Sequence, residues 1–125
     1  MIFGAHVLLY SKDPEADRAF FRDILQLKNV DVGGGWLIFA LPPSELAVHP
    51  SDGTFVQEHG DQALLGALVY LMCDDVDGTV KTLKAKNIVC GKLERESWGI
   101  TTTVRLPSGG EIGLYQPLHQ TAFAR

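Results

Sequence analysis

Ala67-Leu68-Val69-Tyr70-Leu71-Met72-Cys73-Asp74-Asp75-Val76-Asp77 changes its pattern half-way along. The alternating run from Ala67 to Cys73 suits a strand and stops at two acids. Asp74-Asp75 then offers a cap for a short helix whose apolar positions are Val76, Val80 and Leu83. Lys86-Asn87 closes that helix. Three strands are expected beyond it, at Ile88 to Lys92, Trp98 to Leu106 and Glu111 to Gln116, the last two joined by the hairpin signal Pro107-Ser108-Gly109-Gly110. Glu94-Arg95-Glu96 reads as a solvated loop. The order of this half is βαβββ.

The first half repeats that order. Ile2 to Tyr10 alternates like a strand and runs into Asp13-Pro14, a cap followed by a proline suited to the first helical position. Ala16, Phe20, Phe21, Ile24, Leu25 and Leu27 mark the buried face of the helix, with Asp17, Arg18, Arg22 and Asp23 opposite. Strands are expected at Lys28 to Val32, Trp36 to Leu41 and Glu45 to His49, divided by turns at Gly33-Gly34-Gly35 and Pro42-Pro43-Ser44. Asp13 and Asp75, like Trp36 and Trp98, lie 62 positions apart. A period this long suits a duplicated module rather than a solenoid. The expected plan is one α+β domain over 1–125. Module one spans 1–50, a polar linker 51–65, module two 66–117 and a tail 118–125. Two βαβββ modules would place their helices outside and curve a mixed, incompletely closed sheet around a cleft.

The 125 residues carry 11 Lys plus Arg against 15 Asp plus Glu, a net charge of −4. That balance lacks the basic face a nucleic-acid partner requires, and it disfavours a membrane surface too. No apolar run reaches the length of a spanning helix and the start lacks a signal-peptide pattern, so a cytoplasmic protein is expected. Cys73 and Cys90 have no CxxC spacing and sit in apolar runs, the setting of buried free thiols rather than a disulfide or zinc site.

With the motifs in place, the chain resembles the vicinal oxygen chelate superfamily, which includes glyoxalase I, extradiol dioxygenases, fosfomycin-resistance enzymes and bleomycin-binding proteins. The resemblance rests on His6-Val7-x-x-Tyr10-Ser11-x-Asp13-Pro14, on Tyr70 to Asp77, and on Leu106-Pro107-Ser108-Gly109-Gly110-Glu111-Ile112-Gly113-Leu114-Tyr115-Gln116-Pro117. It implies a glyoxalase-like fold, pairing into a homodimer, and a cleft that in many members holds one divalent metal through His and Glu side chains. Of the four ligand places it implies, His6 fills one. Leu68 (or Ala67, one register away), Leu46 and Gly113 fall on the others and cannot bind a metal. Glu111 lies two residues before Gly113, on the same strand face. His6 and Glu111 are thus the metal ligands if there is a metal and the catalytic candidates if there is a reaction, while the preferred reading of His6 is a cleft or interface imidazole satisfied by a hydrogen bond. His49, His59 and His119 lack metal-ligand spacing, and His59 and His119 read as solvated.

The ligand-binding candidates are His6, Tyr10, Trp36, Tyr70, Trp98, Glu111 and Tyr115. Glu111, Gly113 and Tyr115 share one face of the last strand, and Gly113 would leave room there. Trp36 and Trp98 either clamp a planar ligand or pack against the partner half. The leading reading is a protein with a degenerate metal site that binds a small, partly aromatic organic molecule, as bleomycin-binding proteins do. The second is an enzyme of the glyoxalase or extradiol dioxygenase kind, a lyase or oxygenase, in which Fe(II), Mn(II), Ni(II) or Zn(II) activates vicinal oxygens. The third is a non-catalytic regulatory or partner-binding module.

Overall fold

The structure is a computed structural model and describes residues 1, 3–53 and 55–123. The fold is α+β, and among the described residues two antiparallel hairpin sheets and one mixed four-stranded sheet form, none of them closed into a barrel. Its residues group into two compact units, Met1–Pro42 with Leu106–Gly110, and Pro43–Arg105 with Glu111–Arg125.

In the first unit, α1 (Pro14–Asp23) starts where the sequence places it. The Asp13 carboxylate accepts the Ala16 N–H at 3.1 Å, and Pro14 takes the first helical position, where no N–H is needed. β1 (Asn29–Asp31) and β2 (Leu37–Phe39) form an antiparallel hairpin whose turn uses Gly33, Gly34 and Gly35, all at positive φ. Phe21 of the helix meets Phe39 of β2 at 5.7 Å between ring centroids, and Phe20 is buried. Asp17 is buried as well. It accepts the Ser11 hydroxyl at 2.6 Å and the Ser108 N–H at 3.0 Å, so helix α1 holds a turn 91 residues away in sequence.

In the second unit, β3 (Val56–His59) and β4 (Gln62–Leu65) make a hairpin, and β5 (Tyr70–Met72) leads to helix α2 (Val76–Ala85). A four-stranded sheet follows the order β5-β8-β7-β6, with β6 Glu94–Glu96, β7 Gly99–Arg105 and β8 Glu111–Pro117. β5 runs parallel to β8 and the other pairs are antiparallel. Asp75 caps α2 through the Gly78 N–H at 3.1 Å. Asn87 at φ 63° closes it, with the Asn87 and Ile88 N–H groups donating to the carbonyls of Lys84 and Leu83. The α2 residues Val76, Val80 and Leu83 are buried, as are Ile100 and Val104 of β7 and Ile112 and Leu114 of β8. Alternation along β7 and β8 places those four strand residues on one face. Gln116 shares that face and takes the Val76 N–H at 2.9 Å, which seats the helix on it.

Several local expectations change. Residues 3–10 carry no strand, and Ile2, where that strand was expected to begin, lies outside the described residues. Alternation forms a strand only with a ladder partner, and among the described residues none pairs with 3–10. Glu45 to His49 is not a strand either. The prolines at 42, 43 and 50 deny donors at both of its ends, and Leu46 and Val48 are exposed. Ile88 to Lys92 contracts to a single bridge, Cys90 to Val104.

Two stretches gain structure. Glu94-Arg95-Glu96 is an edge strand paired with β7, and Arg95 reaches Asp77 of α2 at 2.9 Å. The expected linker carries the β3–β4 hairpin, turned by Gly60-Asp61 with Gly60 at φ 64°. Gly followed by Asp is a two-residue hairpin signal that the polarity of the stretch conceals. Thr54 within that linker, and residues 124 and 125 of the tail, lie outside the described residues. Cys73 and Cys90 are free and half-buried, and burial pushes both thiols up from their ordinary range, as suits unreactive side chains.

Candidate functional site

The face of the four-stranded sheet away from α2 is set by register. Tyr70 pairs with Gly113 and Met72 with Tyr115, while Thr101, Thr103 and Arg105 of β7 stand opposite Tyr115, Gly113 and Glu111. Cross-strand partners project to the same side, so Tyr70, Met72, Thr101, Thr103, Arg105, Glu111 and Tyr115 share this face.

Three rings gather on it. Tyr70 meets Tyr115 at 6.3 Å between centroids with planes at 73°, and Trp98 meets Tyr115 at 5.9 Å and 64°, both edge-to-face. Two of them, Tyr70 and Tyr115, are seated over glycines. A Cβ at Gly113 would enter the Tyr70 ring, and a Cβ at Gly99 would enter the ring of Tyr115. The room expected at Gly113 is therefore filled by Tyr70 instead of being left for a ligand. The Tyr115 hydroxyl donates to the Trp98 carbonyl at 3.3 Å, which fixes the middle ring. Tyr70 is 47% and Trp98 51% exposed, so the rings form a wall with open flanks and not a core.

The wall continues into His119, read from the sequence as solvated, and Glu45, expected to start a strand. The His119 ring lies 5.9 Å from Tyr115, and its Nε2 is 3.9 Å from Glu45 Oε1. Burial, and after it the Glu45 carboxylate, push the Tyr115 phenol up from its ordinary range. No local pattern joins Glu45 to His119, 74 positions apart, so only the folded chain reveals the pair.

His6, Tyr10 and Trp36 belong to the first unit, whereas Tyr70, Trp98, Glu111 and Tyr115 belong to the second. His6 and Tyr10 are exposed on the segment that carries no strand. Trp36 is 60% exposed, and the Arg18 guanidinium lies over it at 4.6 Å from the ring centroid, a surface cation–π contact. Glu111 is exposed, opposite Arg105.

The residues present do not fit a resident metal of the kind the resemblance implies. At Gly113 there is no donor, and a Glu side chain built there would begin inside the Tyr70 ring. Among the described residues no three His, Cys, Asp or Glu side chains come together as a metal site. No helix among them is long and apolar enough to cross a membrane.

Comparison of the whole chain with solved structures decides its class. At a TM-score of 0.57 and 23% identity it is similar to TnmS3, an antibiotic binding protein from Streptomyces sp. CB03234, over 94% of this chain and 99% of that one. The fold is glyoxalase-like. A lactoylglutathione lyase from Agrobacterium tumefaciens is similar at a TM-score of 0.59 and 22% identity, over 86% of this chain and 88% of that one. A glyoxalase/bleomycin resistance protein from Streptomyces sp. CB03234 follows at 0.52 and 22%, over 85% and 93%. No protein-family profile matches the chain and no curated protein matches it by sequence. Likeness at these TM-scores establishes the glyoxalase-like fold, and function has to come from the site.

Proposed function

We propose that this protein binds a small, partly aromatic organic molecule against the wall of Tyr70, Trp98 and Tyr115. The observation that carries the reading is the packing of three part-exposed rings on one sheet face, with two of them seated over glycines. Edge-to-face contacts hold the rings while their outer surfaces stay open to a planar partner. Glu111 and Arg105, opposite each other on the same face, supply polar contacts beside the apolar surface. The similarity to an antibiotic binding protein is in keeping with this use of the fold.

Titration with N-phenyl-1-naphthylamine, a neutral aromatic probe whose emission rises in apolar sites, tests the wall. Tyr115→Ala should weaken binding by about tenfold, the equivalent of ~1.4 kcal/mol and of one lost aromatic pair. Equal affinity in the wild type and the variant, or no binding to either, would sink the proposal. A cytoplasmic homodimer belongs to the same reading. Pairing is supported by exposed apolar side chains on and beside the β3–β4 hairpin, namely Val56, Leu64, Leu65 and Leu68. Sedimentation velocity at micromolar protein should show twice the 13.7 kDa chain mass, and a monomer would remove pairing from the reading.

A further inference from the structure

The last described stretch of chain lies along the Tyr115 end of the wall and is attached there by few bonds. It begins where β8 ends, with the Leu118 N–H donating to the Trp98 carbonyl at 2.9 Å. His119 then sets its ring on Tyr115 at 5.9 Å with planes at 38°, and its Nδ1–H donates to the Gln120 carbonyl at 2.8 Å. Glu45 meets this stretch twice. Oε1 is 3.9 Å from His119 Nε2, and Oε2 accepts the Ala122 N–H at 3.2 Å. The Thr121 hydroxyl donates to the Phe123 carbonyl at 2.8 Å and tightens the end of the stretch.

These contacts differ in kind from those beneath the sheet. No regular secondary structure forms over 118–123, His119 and Ala122 are exposed, and the Glu45 side chain is 21% exposed. A segment tied by a few solvent-exposed bonds opens far more readily than a core strand. The approach of His119 to Glu45, at 3.9 Å near the surface, contributes little holding energy. The ring that this segment covers is the middle one of the wall, in contact with both Tyr70 and Trp98.

We propose that residues 118–123 are a strap across Tyr115, that Glu45 is its fastener, and that release of the strap admits a ligand to the middle of the aromatic wall. Glu45 and His119 are then positioning residues, which set how much of Tyr115 is open. The proposal rests on the wall being the ligand surface, and it adds a moving part to it.

Hydroxyl-radical footprinting of the intact chain, read by peptide mass spectrometry, tests the strap without any ligand. Tyr70 serves as the internal reference, because it belongs to the same wall and makes none of the strap contacts described above. In Glu45→Ala the oxidation rate of Tyr115 relative to Tyr70 should rise about threefold, the response of a locally released segment. His119→Ala should raise it as well. Glu45→Gln retains an acceptor for the Ala122 N–H and should give a smaller rise. An unchanged ratio in Glu45→Ala overturns the strap, and so does an equal rise at both tyrosines, which would report general loosening. The probe titration separates the two ideas. If Tyr115 opens in Glu45→Ala while Tyr115→Ala leaves probe binding untouched, the wall is not the ligand surface, though the strap stands.

Discussion

Gly113→Ala should destabilise the protein by about 2 kcal/mol, as overpacking of a fixed backbone does. β8 is held on both sides at this point. Gly113 pairs with Tyr70 of β5 and Thr103 of β7, and its N–H donates to the Val69 carbonyl at 2.9 Å. The backbone therefore cannot retreat from a new methyl group. The methyl would meet Tyr70 at Cδ1, Cε1 and Cγ. Because Cγ is among the clashing atoms, spinning the ring about its own axis gives no relief, and Tyr70 must leave its rotamer altogether. Leaving it breaks the edge contact with Tyr115, so probe binding should fall along with stability. The check is a double-mutant cycle in urea. Tyr70→Ala removes the obstacle, so Gly113→Ala should cost much less in that background. Simple additivity of the two changes would show that the ring is not what the methyl group meets.

This clash also marks the limit of what could be read from the sequence. Parity along Glu111 to Tyr115 places Glu111, Gly113 and Tyr115 on one face, and the structure has them there, because strand period depends on nothing but the backbone. The helix starts at Asp13-Pro14 and Asp75 were equally legible, since caps are local chemistry. What occupies the space above Gly113 was not. It depends on the parallel register of β5 against β8, which pairs residues 43 positions apart and has no local signature. The Glu45–His119 contact is hidden for the same reason. Misreading at residues 3–10 and 45–49 has a different origin. Those segments have strand-like letters, but letters do not supply a ladder partner, and β6 shows the converse, a charged tripeptide that pairs because β7 offers it an edge.

Asp17→Ala should cost about 3 kcal/mol, because it strips acceptors from two donors at once. Asp17 is 6% exposed and lies on the first turns of α1. Its two oxygens do different work. Oδ2 takes the Ser11 hydroxyl at 2.6 Å, and that hydroxyl oxygen in turn accepts the Asp13 N–H at 3.0 Å, which steadies the helix entry. Oδ1 takes the Ser108 N–H at 3.0 Å and so fixes the turn that connects β7 to β8. Alanine would leave the Ser108 N–H without its partner at a half-exposed position and the Ser11 hydroxyl without its acceptor. Asparagine discriminates between charge and geometry. Its amide oxygen can keep the Ser108 N–H, and its NH₂ can donate to Ser11 Oγ, which has lone-pair capacity to spare. Asp17→Asn should therefore cost no more than about 1 kcal/mol, the difference between a charge-assisted and a neutral hydrogen bond. Urea unfolding of the two variants measures both values. Equal losses would mean that the charge itself, and not the pair of acceptor positions, ties helix α1 to the turn.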